Sequence, residues 1–150
     1  MKKILVVDDS ALMRRVLCDI IEQDRNLKVV DKATNGLEAL ELIKKNSYDA
    51  VVLDVNMPKM NGLELLKALR KDKISVRIMM ASTDTREGAQ TTLDALELGA
   101  LDFVHKPDRA LDCRGEEFTE NFLRTLNAVV NSNPPTFTKV FSREDSQNTK

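Results

Sequence analysis

Short apolar runs alternate with amphipathic segments along almost the whole of this 150-residue chain. Each run has the length of a buried β-strand, and the five runs are residues 4–7, 27–30, 50–53, 78–81 and 101–104. Between the runs, and again after the last one, apolar residues recur at helical spacing, as at Leu12, Val16 and Ile20, at Leu37 and Leu40, or at Phe118 and Phe122. Such alternation predicts parallel strands joined by right-handed crossovers, with helices on both faces of one sheet.

The composition of the runs indicates the order of the strands. The runs around Val6, Val52 and Met79 lack alternation of apolar and polar residues, as expected for central strands buried on both faces. Segment 27–33 carries several charged residues, which is typical of an edge strand. These patterns favour the order 2-1-3-4-5 over the order that places strand 3 outermost. We therefore predict a three-layer α/β/α sandwich of the flavodoxin-like (βα)5 type.

Charge and hydropathy argue against several classes of function. The 23 Lys and Arg residues nearly balance the 24 Asp and Glu residues, so no basic field is available for nucleic acid or anionic lipid. No apolar run approaches the roughly 20 residues needed to span a bilayer. The apolar stretch after Lys3 is too short for a secretory signal. We expect a cytoplasmic protein without nucleic-acid or membrane partners.

The end of the chain and the two cysteines carry little chemistry. After Asn131 the sequence becomes largely polar and contains two adjacent prolines, which predicts a domain over 1–131 and a polar linker or tail over 132–150. Cys18 and Cys113 match neither a metal-binding spacing nor a disulfide framework, and we expect free thiols.

Charged and hydroxyl side chains follow four of the five apolar runs. Ligands of open α/β sheets bind beyond the carboxyl ends of the strands, where the strand order reverses. With strands 1 and 3 adjacent, the three carboxylates that follow these strands meet at one edge of the sheet. The residues concerned are Asp8 and Asp9 after the first run, Asp54 after the third, Ser82 and Thr83 after the fourth, and Lys106 shortly after the fifth.

Three carboxylates at one edge repel each other and hold protons unless a cation lies among them. Mg²⁺ fits because it binds through one or two carboxylates and keeps coordination places for water and a phosphoryl oxygen, whereas a Ca²⁺ cage needs more ligands. Lys106 and the Ser82 hydroxyl then supply donors for phosphoryl oxygens. Asp54 is the strongest member of the set, because folding alone gives no reason for a charge directly after a buried run.

Each of these residues also has a structural interpretation. Asp9 or Ser10 is a suitable N-cap for a helix that starts near Ala11, a role that can coexist with a site. Taken alone, Ser82 would be an ordinary strand-end hydroxyl and Lys106 a solvated loop lysine. Their joint occurrence at four strand ends favours a functional site.

The remaining chemically distinctive residues are a histidine, a phenylalanine and four methionines. We expect His105, which has no second metal-ligating residue at a suitable spacing, to be an exposed loop side chain. Phe103 is either a core residue or a side chain with inward and outward states. Four methionines are expected to serve packing, namely Met57, Met60, Met79 and Met80.

Taken together, these motifs resemble the receiver domain of two-component response regulators over residues 2–130. The motifs are residues 8–10, residues 53–58 leading into Asn61 and Gly62, residues 81–82 and residues 103–107. The resemblance implies that Asp54 is the phosphoacceptor. It also implies that Asp9 and Asp54 bind Mg²⁺ with the main-chain carbonyl of Asn56, while Asp8 acts through metal-bound water.

The same resemblance assigns the remaining site residues. Ser82 and Lys106 bind the phosphoryl group, and Phe103 is the switch aromatic. It further implies a cis peptide bond between Lys106 and Pro107, and a histidine kinase as the phosphodonor.

Residues 9–14, 82–89 and 96–103 are similar to the receiver domain of the chemotaxis protein-glutamate methylesterases. Members of that family continue into an esterase domain, whereas these 150 residues contain no Gly-x-Ser-x-Gly motif. The resemblance implies a non-enzymatic receiver, either excised from such an esterase or standing alone. Its output surface, formed by the fourth helix, fifth strand and fifth helix, is expected to contact an esterase or other output domain.

Two other functions are compatible with an α/β sheet of this kind. An Mg²⁺-dependent phosphatase would use Asp8 or Asp9 as nucleophile, but the adjacent pair lacks the Asp-x-Asp spacing of such enzymes. A flavin- or nucleotide-binding protein would carry a loop rich in Gly, Ser and Thr after strand 1, where this chain has acidic residues.

Overall fold

The computed structural model describes residues 1–55, 57, 59–83, 86–107 and 115–135. Strands and helices alternate throughout this part of the chain, as predicted. The elements are β1 (Lys2–Val7), α1 (Ala11–Ile21), β2 (Leu27–Ala33), α2 (Gly36–Lys45), β3 (Ala50–Asp54), α3 (Gly62–Lys71), β4 (Ile78–Thr83), α4 (Arg86–Glu97), β5 (Asp102–Lys106) and α5 (Glu116–Val130).

The five strands form one parallel sheet in the order β2-β1-β3-β4-β5, which confirms the predicted flavodoxin-like order. β3 is buried along its whole length because strands flank it on both edges and helices cover both of its faces. β2 lies at the edge and exposes Lys28, Val30 and Lys32. Its register against β1 shifts after Val29, so that Val30 has no partner in β1.

Successive side chains of the central strands point to opposite faces of the sheet and build two separate cores. Ile4 and Val6 of β1 pack with α1 and α5 on one face. Leu5 and Val7 pack with α2, α3 and α4 on the other. These two cores confirm the three-layer sandwich.

Three helices that follow strands begin with a side-chain N-cap at the carboxyl edge of the sheet. Ser10 accepts a hydrogen bond from the Met13 N–H, so Ser10 rather than Asp9 is the N-cap of α1. Asn35 caps α2 in the same way. Asn61 and Glu64 form a reciprocal capping box at the start of α3. Side-chain hydrogen bonds therefore fix the starts of α1, α2 and α3 at this edge of the sheet.

The observed elements differ from the predicted segments at their ends and in their helical phase. β5 ends at Lys106 rather than at residue 104. Its last two residues are polar, so a prediction based on apolar runs does not include them. Leu12 and Leu37 are exposed although their spacing matches the apolar stripes of α1 and α2. Met13 and Ala39 are buried instead, since each stripe is wider than the helix face that contacts the sheet.

The residues after α5 contact the amino-terminal edge of the sheet. The Arg77 Nε–H donates to the carbonyl oxygen of Ser132 at 2.7 Å, and the Ser75 hydroxyl donates to the carbonyl oxygen of Pro135. This edge is opposite to the one that carries the acidic residues. The predicted domain boundary after Asn131 stays a prediction. Among the described helices, none combines the length and apolar character needed to cross a membrane.

Candidate functional site

Four polar side chains are buried together at the carboxyl edge of the sheet. Asp8 directly follows β1, Asp54 is the last residue of β3, Ser82 lies near the end of β4, and Lys106 is the last residue of β5. None of these residues is more than 7% exposed. Buried charges require partners, so the structure supports the prediction that these strand ends form one site.

Lys106 is the cation that holds the site together. Its Nζ lies 2.8 Å from Asp8 Oδ2 and 3.2 Å from Asp54 Oδ1. One ammonium group therefore faces two buried carboxylates, and this cluster carries a net negative charge. Such a pocket favours binding of a further cation.

The Asp8 carboxylate has donors on both of its oxygens. Oδ2 accepts from Lys106, and Oδ1 accepts from the Ser10 N–H at 2.9 Å. Arg14 Nη1 also donates to the main-chain carbonyl of Asp8 at 2.8 Å. Arg14 was not predicted as a site residue, although its position shortly after the acidic pair, in the first turns of α1, was a usable signal.

Asp9 differs from its neighbour because its side chain is exposed. One carboxylate oxygen from each of Asp8, Asp9 and Asp54 lies within 4.8 Å of the other two. Hard oxygen donors grouped in this way suit Mg²⁺, and the exposed Asp9 leaves an open side for water ligands. The donor set therefore fits the predicted magnesium site.

Burial dominates the acid–base properties of the pocket. Burial raises the pKa of Asp54 to about 6, and the nearby Asp8 and Asp9 reinforce this shift while Lys106 opposes it. Burial by itself would lower the pKa of Lys106, but the carboxylates of Asp54 and Asp8 outweigh it and leave that pKa raised. Lys106 is therefore a permanent cation at neutral pH, and Asp54 changes charge near pH 6.

This shift predicts a pH dependence of stability in metal-free buffer. A carboxyl group whose pKa rises from 3.8 to about 6 on folding binds its proton more tightly in the folded state. The free energy of unfolding therefore falls as the pH rises from about 4 to about 6, by about 3 kcal/mol for a shift of this size. We expect the fall to disappear in the Asp54→Asn variant.

Urea unfolding with EDTA, at several pH values between 4 and 7, measures this difference directly. Carboxylates remote from this pocket are the same in both proteins, so their contributions cancel in the comparison. Parallel curves for the wild type and the variant would contradict the raised pKa of Asp54.

Phe103 and His105 lie on the same side of β5. Their rings meet edge to face, with centroids 5.2 Å apart and planes at 79°. Phe103 is half-buried against the core formed with α2, α3 and α4, whereas His105 is exposed, as predicted, but belongs to the strand rather than to a loop. The inward and outward states of Phe103 stay a prediction.

The four methionines that were predicted to serve packing lie in the core or against it. Met79 and Met80 are fully buried, and Met57 and Met60 pack partly buried against the core on the α3 side. Cys18 is a buried free thiol, as expected.

Several predicted features fall outside the described residues or differ from the structure. Asn56 and Cys113 lie outside the described residues, and so does the side chain of Thr83 at the end of β4. The predicted cis bond between Lys106 and Pro107 is wrong, because no peptide bond among the described residues is cis. Alternation along β5 already directs the Lys106 side chain toward Asp54, so no special turn is needed to aim it.

The sequence of this chain is similar to those of known proteins. Residues 4–112 match the family model described as the response regulator receiver domain. A protein-glutamate methylesterase/protein-glutamine glutaminase of Pyrococcus abyssi is 46% identical over 128 residues, covering 85% of this chain and 34% of the relative. The enzyme of the same name from Clostridium acetobutylicum is 35% identical over 149 residues, covering 97% of this chain and 43% of the relative.

The similarity extends to a solved structure. The crystal structure of the response regulator domain of Thermotoga maritima CheB matches with a TM-score of 0.78 and 39% identity, covering 89% of this chain and 99% of that one. The present chain thus matches an entire receiver structure, but it spans only 34% of the Pyrococcus abyssi relative.

Proposed function

This chain belongs to the family of response regulator receiver domains, and we propose that it accepts a phosphoryl group from a histidine kinase on Asp54. Its similarity to the methylesterases supports a place in chemotaxis signalling, as the regulatory domain of such an esterase. A stand-alone receiver is the alternative. Both forms share the chemistry of the site.

The observation that carries this proposal is the position of Asp54. It ends a central strand in a pocket where Lys106 lies 3.2 Å from Oδ1. The carboxylate is thus fixed in orientation beside a cation that can stabilise charge on a phosphoryl group. Both oxygens of Asp8 already accept a hydrogen bond, which favours Asp54 over Asp8 as the nucleophile.

The transfer step is a displacement at phosphorus. An oxygen of Asp54 bonds to the phosphorus of the donor's phosphohistidine while the P–N bond breaks. The electron pair of that bond stays on the histidine nitrogen, which takes up a proton. Lys106 lies where its ammonium can bind a phosphoryl oxygen, and the Ser82 hydroxyl is proposed to bind another. Hydrolysis of the acyl phosphate later returns Asp54 to its carboxylate form.

The metal ligands are proposed to be Asp9, Asp54 and the main-chain carbonyl of Asn56, with Asp8 acting through water. Both oxygens of Asp8 already accept hydrogen bonds, whereas the Asp9 side chain is exposed. Both observations support this division of roles. When bound, Mg²⁺ supplies positive charge that offsets the charge on the phosphoryl oxygens.

The output is proposed to be a shift between two packings of the surface formed by α4, β5 and α5. Engagement of Ser82 by the phosphoryl group would draw the end of β4 inward and give Phe103 room to turn. Phe103 is half-buried, and its ring meets the exposed His105 ring edge to face, which supports such a movement. An esterase domain is the proposed partner of this surface.

The division of metal roles gives a direct test. We expect Asp9→Ala to weaken Mg²⁺ binding by more than about tenfold, because it removes a direct ligand, and Asp8→Ala to weaken it less. Isothermal titration calorimetry with Mg²⁺ or Mn²⁺ measures the metal affinity of both variants. Each variant removes one of two adjacent carboxylates, so the two serve as controls for each other. Equal affinities of the two variants would contradict the assignment.

A further inference from the structure

Met60, which lies between β3 and α3, packs against the first residue of α2. The Gly36 N–H donates to the carbonyl oxygen of Met60 at 2.8 Å. A Cβ atom at position 36 would overlap that oxygen and lie 2.7 Å from the Met60 Cβ. Side chains larger than hydrogen therefore cannot be placed there unless the loop moves.

The same loop is fixed to the candidate site at its other end. The Gly62 N–H donates to the carbonyl oxygen of Val55 at 3.0 Å. A Cβ atom at position 62 would lie 2.8 Å from the main-chain oxygen of Asp54. Met60 lies two residues before Gly62, so we expect a displacement of Met60 to move the backbone next to Asp54.

Formation of α2 does not by itself require glycine at position 36. Asn35 provides the N-cap by accepting from the Glu38 N–H at 3.0 Å. Among the described glycines only Gly99 has a positive φ, so other residues can adopt the backbone conformation of Gly36. The close approach of Met60 is what requires the missing side chain.

We propose that Gly36 is a positioning residue for metal binding at the Asp54 site. It touches none of the carboxylates, but it allows Met60 to lie against α2 and holds Met60 there by a hydrogen bond. This inference rests on the proposed function, in which Asp54 binds Mg²⁺. Asn56, the proposed carbonyl ligand, lies outside the described residues and contributes nothing to the geometry used here.

The test compares two substitutions in the same helix. Gly36→Ala adds a methyl group against Met60, whereas Ala39→Gly removes a buried methyl group one turn later and leaves the loop contact untouched. We expect Mg²⁺ affinity, measured by calorimetry without phosphodonor, to fall roughly tenfold in Gly36→Ala and to stay at the wild-type value in Ala39→Gly. Equal affinities in the two variants would overturn the proposal.

A measurement on the wild type covers the case in which Gly36→Ala does not fold. If the Gly36–Met60 bond favours metal binding, metal binding must favour that bond to the same extent. Mg²⁺ should therefore slow amide exchange at Gly36 more than at Ala39, whose N–H bonds to Asn35 within the helix start. Equal slowing at both amides would overturn the proposal.

These outcomes are separable from the proposed function. Wild-type protein that binds no Mg²⁺ would contradict the metal site itself. If the wild type binds Mg²⁺ and the folded Gly36→Ala variant binds it with the same affinity, only the role of Gly36 is contradicted.

Discussion

Replacing Asp54 with asparagine is expected to abolish phosphorylation by acetyl phosphate or carbamoyl phosphate while the fold stays intact. The amide has nearly the shape of the carboxyl group but lacks the anionic oxygen that bonds to phosphorus. Asp8 is the other buried carboxylate of this pocket among the described residues, and both of its oxygens accept hydrogen bonds, so we expect no adduct there.

Intact-mass spectrometry after incubation with the phosphodonor and Mg²⁺ measures the result. Asp72→Asn is a matched control, because Asp72 is an exposed aspartate in a surface ion pair with Lys44. The control should gain the phosphoryl adduct to the wild-type extent. A full adduct on the Asp54→Asn variant would remove Asp54 from the mechanism.

Replacing Lys106 with methionine is expected to lower the free energy of unfolding by about 3–5 kcal/mol at pH 7 in metal-free buffer. The methionine side chain preserves much of the length of the lysine but removes the ammonium group. Asp8 and Asp54 are then buried without their shared cation, and breaking a buried ion pair from one side has a cost of this size.

Added Mg²⁺ should stabilise the Lys106→Met variant more than the wild type, because a bound cation offsets the two carboxylates that have lost Lys106. Urea unfolding with EDTA and with Mg²⁺ measures both effects. Lys67→Met serves as control, since Lys67 is exposed on α3 and its loss should change stability by no more than about 0.5 kcal/mol. A loss no larger than that of the control would show that Lys106 is not the cation of a buried cluster.

The strand order was predictable because charge distinguishes the strands. The charged residues of segment 27–33 mark β2 as an edge, and the uninterrupted apolar runs around Val6 and Val52 mark central strands. Hydrophobic periodicity and the rules for parallel sheets then leave few topologies. The site followed from the same logic, because carboxyl ends of parallel strands meet at one edge.

Other features depend on contacts between residues far apart in the chain. The approach of Gly36 to Met60 joins α2 to the loop before α3, and no local pattern in either segment indicates it. The burial of Ala39 instead of Leu37 reflects how α2 lies on the sheet, which periodicity alone does not determine. The direction of Lys106 depends on where β5 ends, and apolar runs do not define that point.

Peptide mapping of the wild-type protein identifies the phosphoacceptor, which we propose to be Asp54. The protein is incubated with acetyl phosphate and Mg²⁺, digested at acidic pH and analysed by tandem mass spectrometry. We expect a single phosphoryl group on Asp54, present with Mg²⁺ and absent with EDTA. A phosphoryl group on Asp8 or Asp9, or no adduct on a folded protein that binds Mg²⁺, would contradict this assignment.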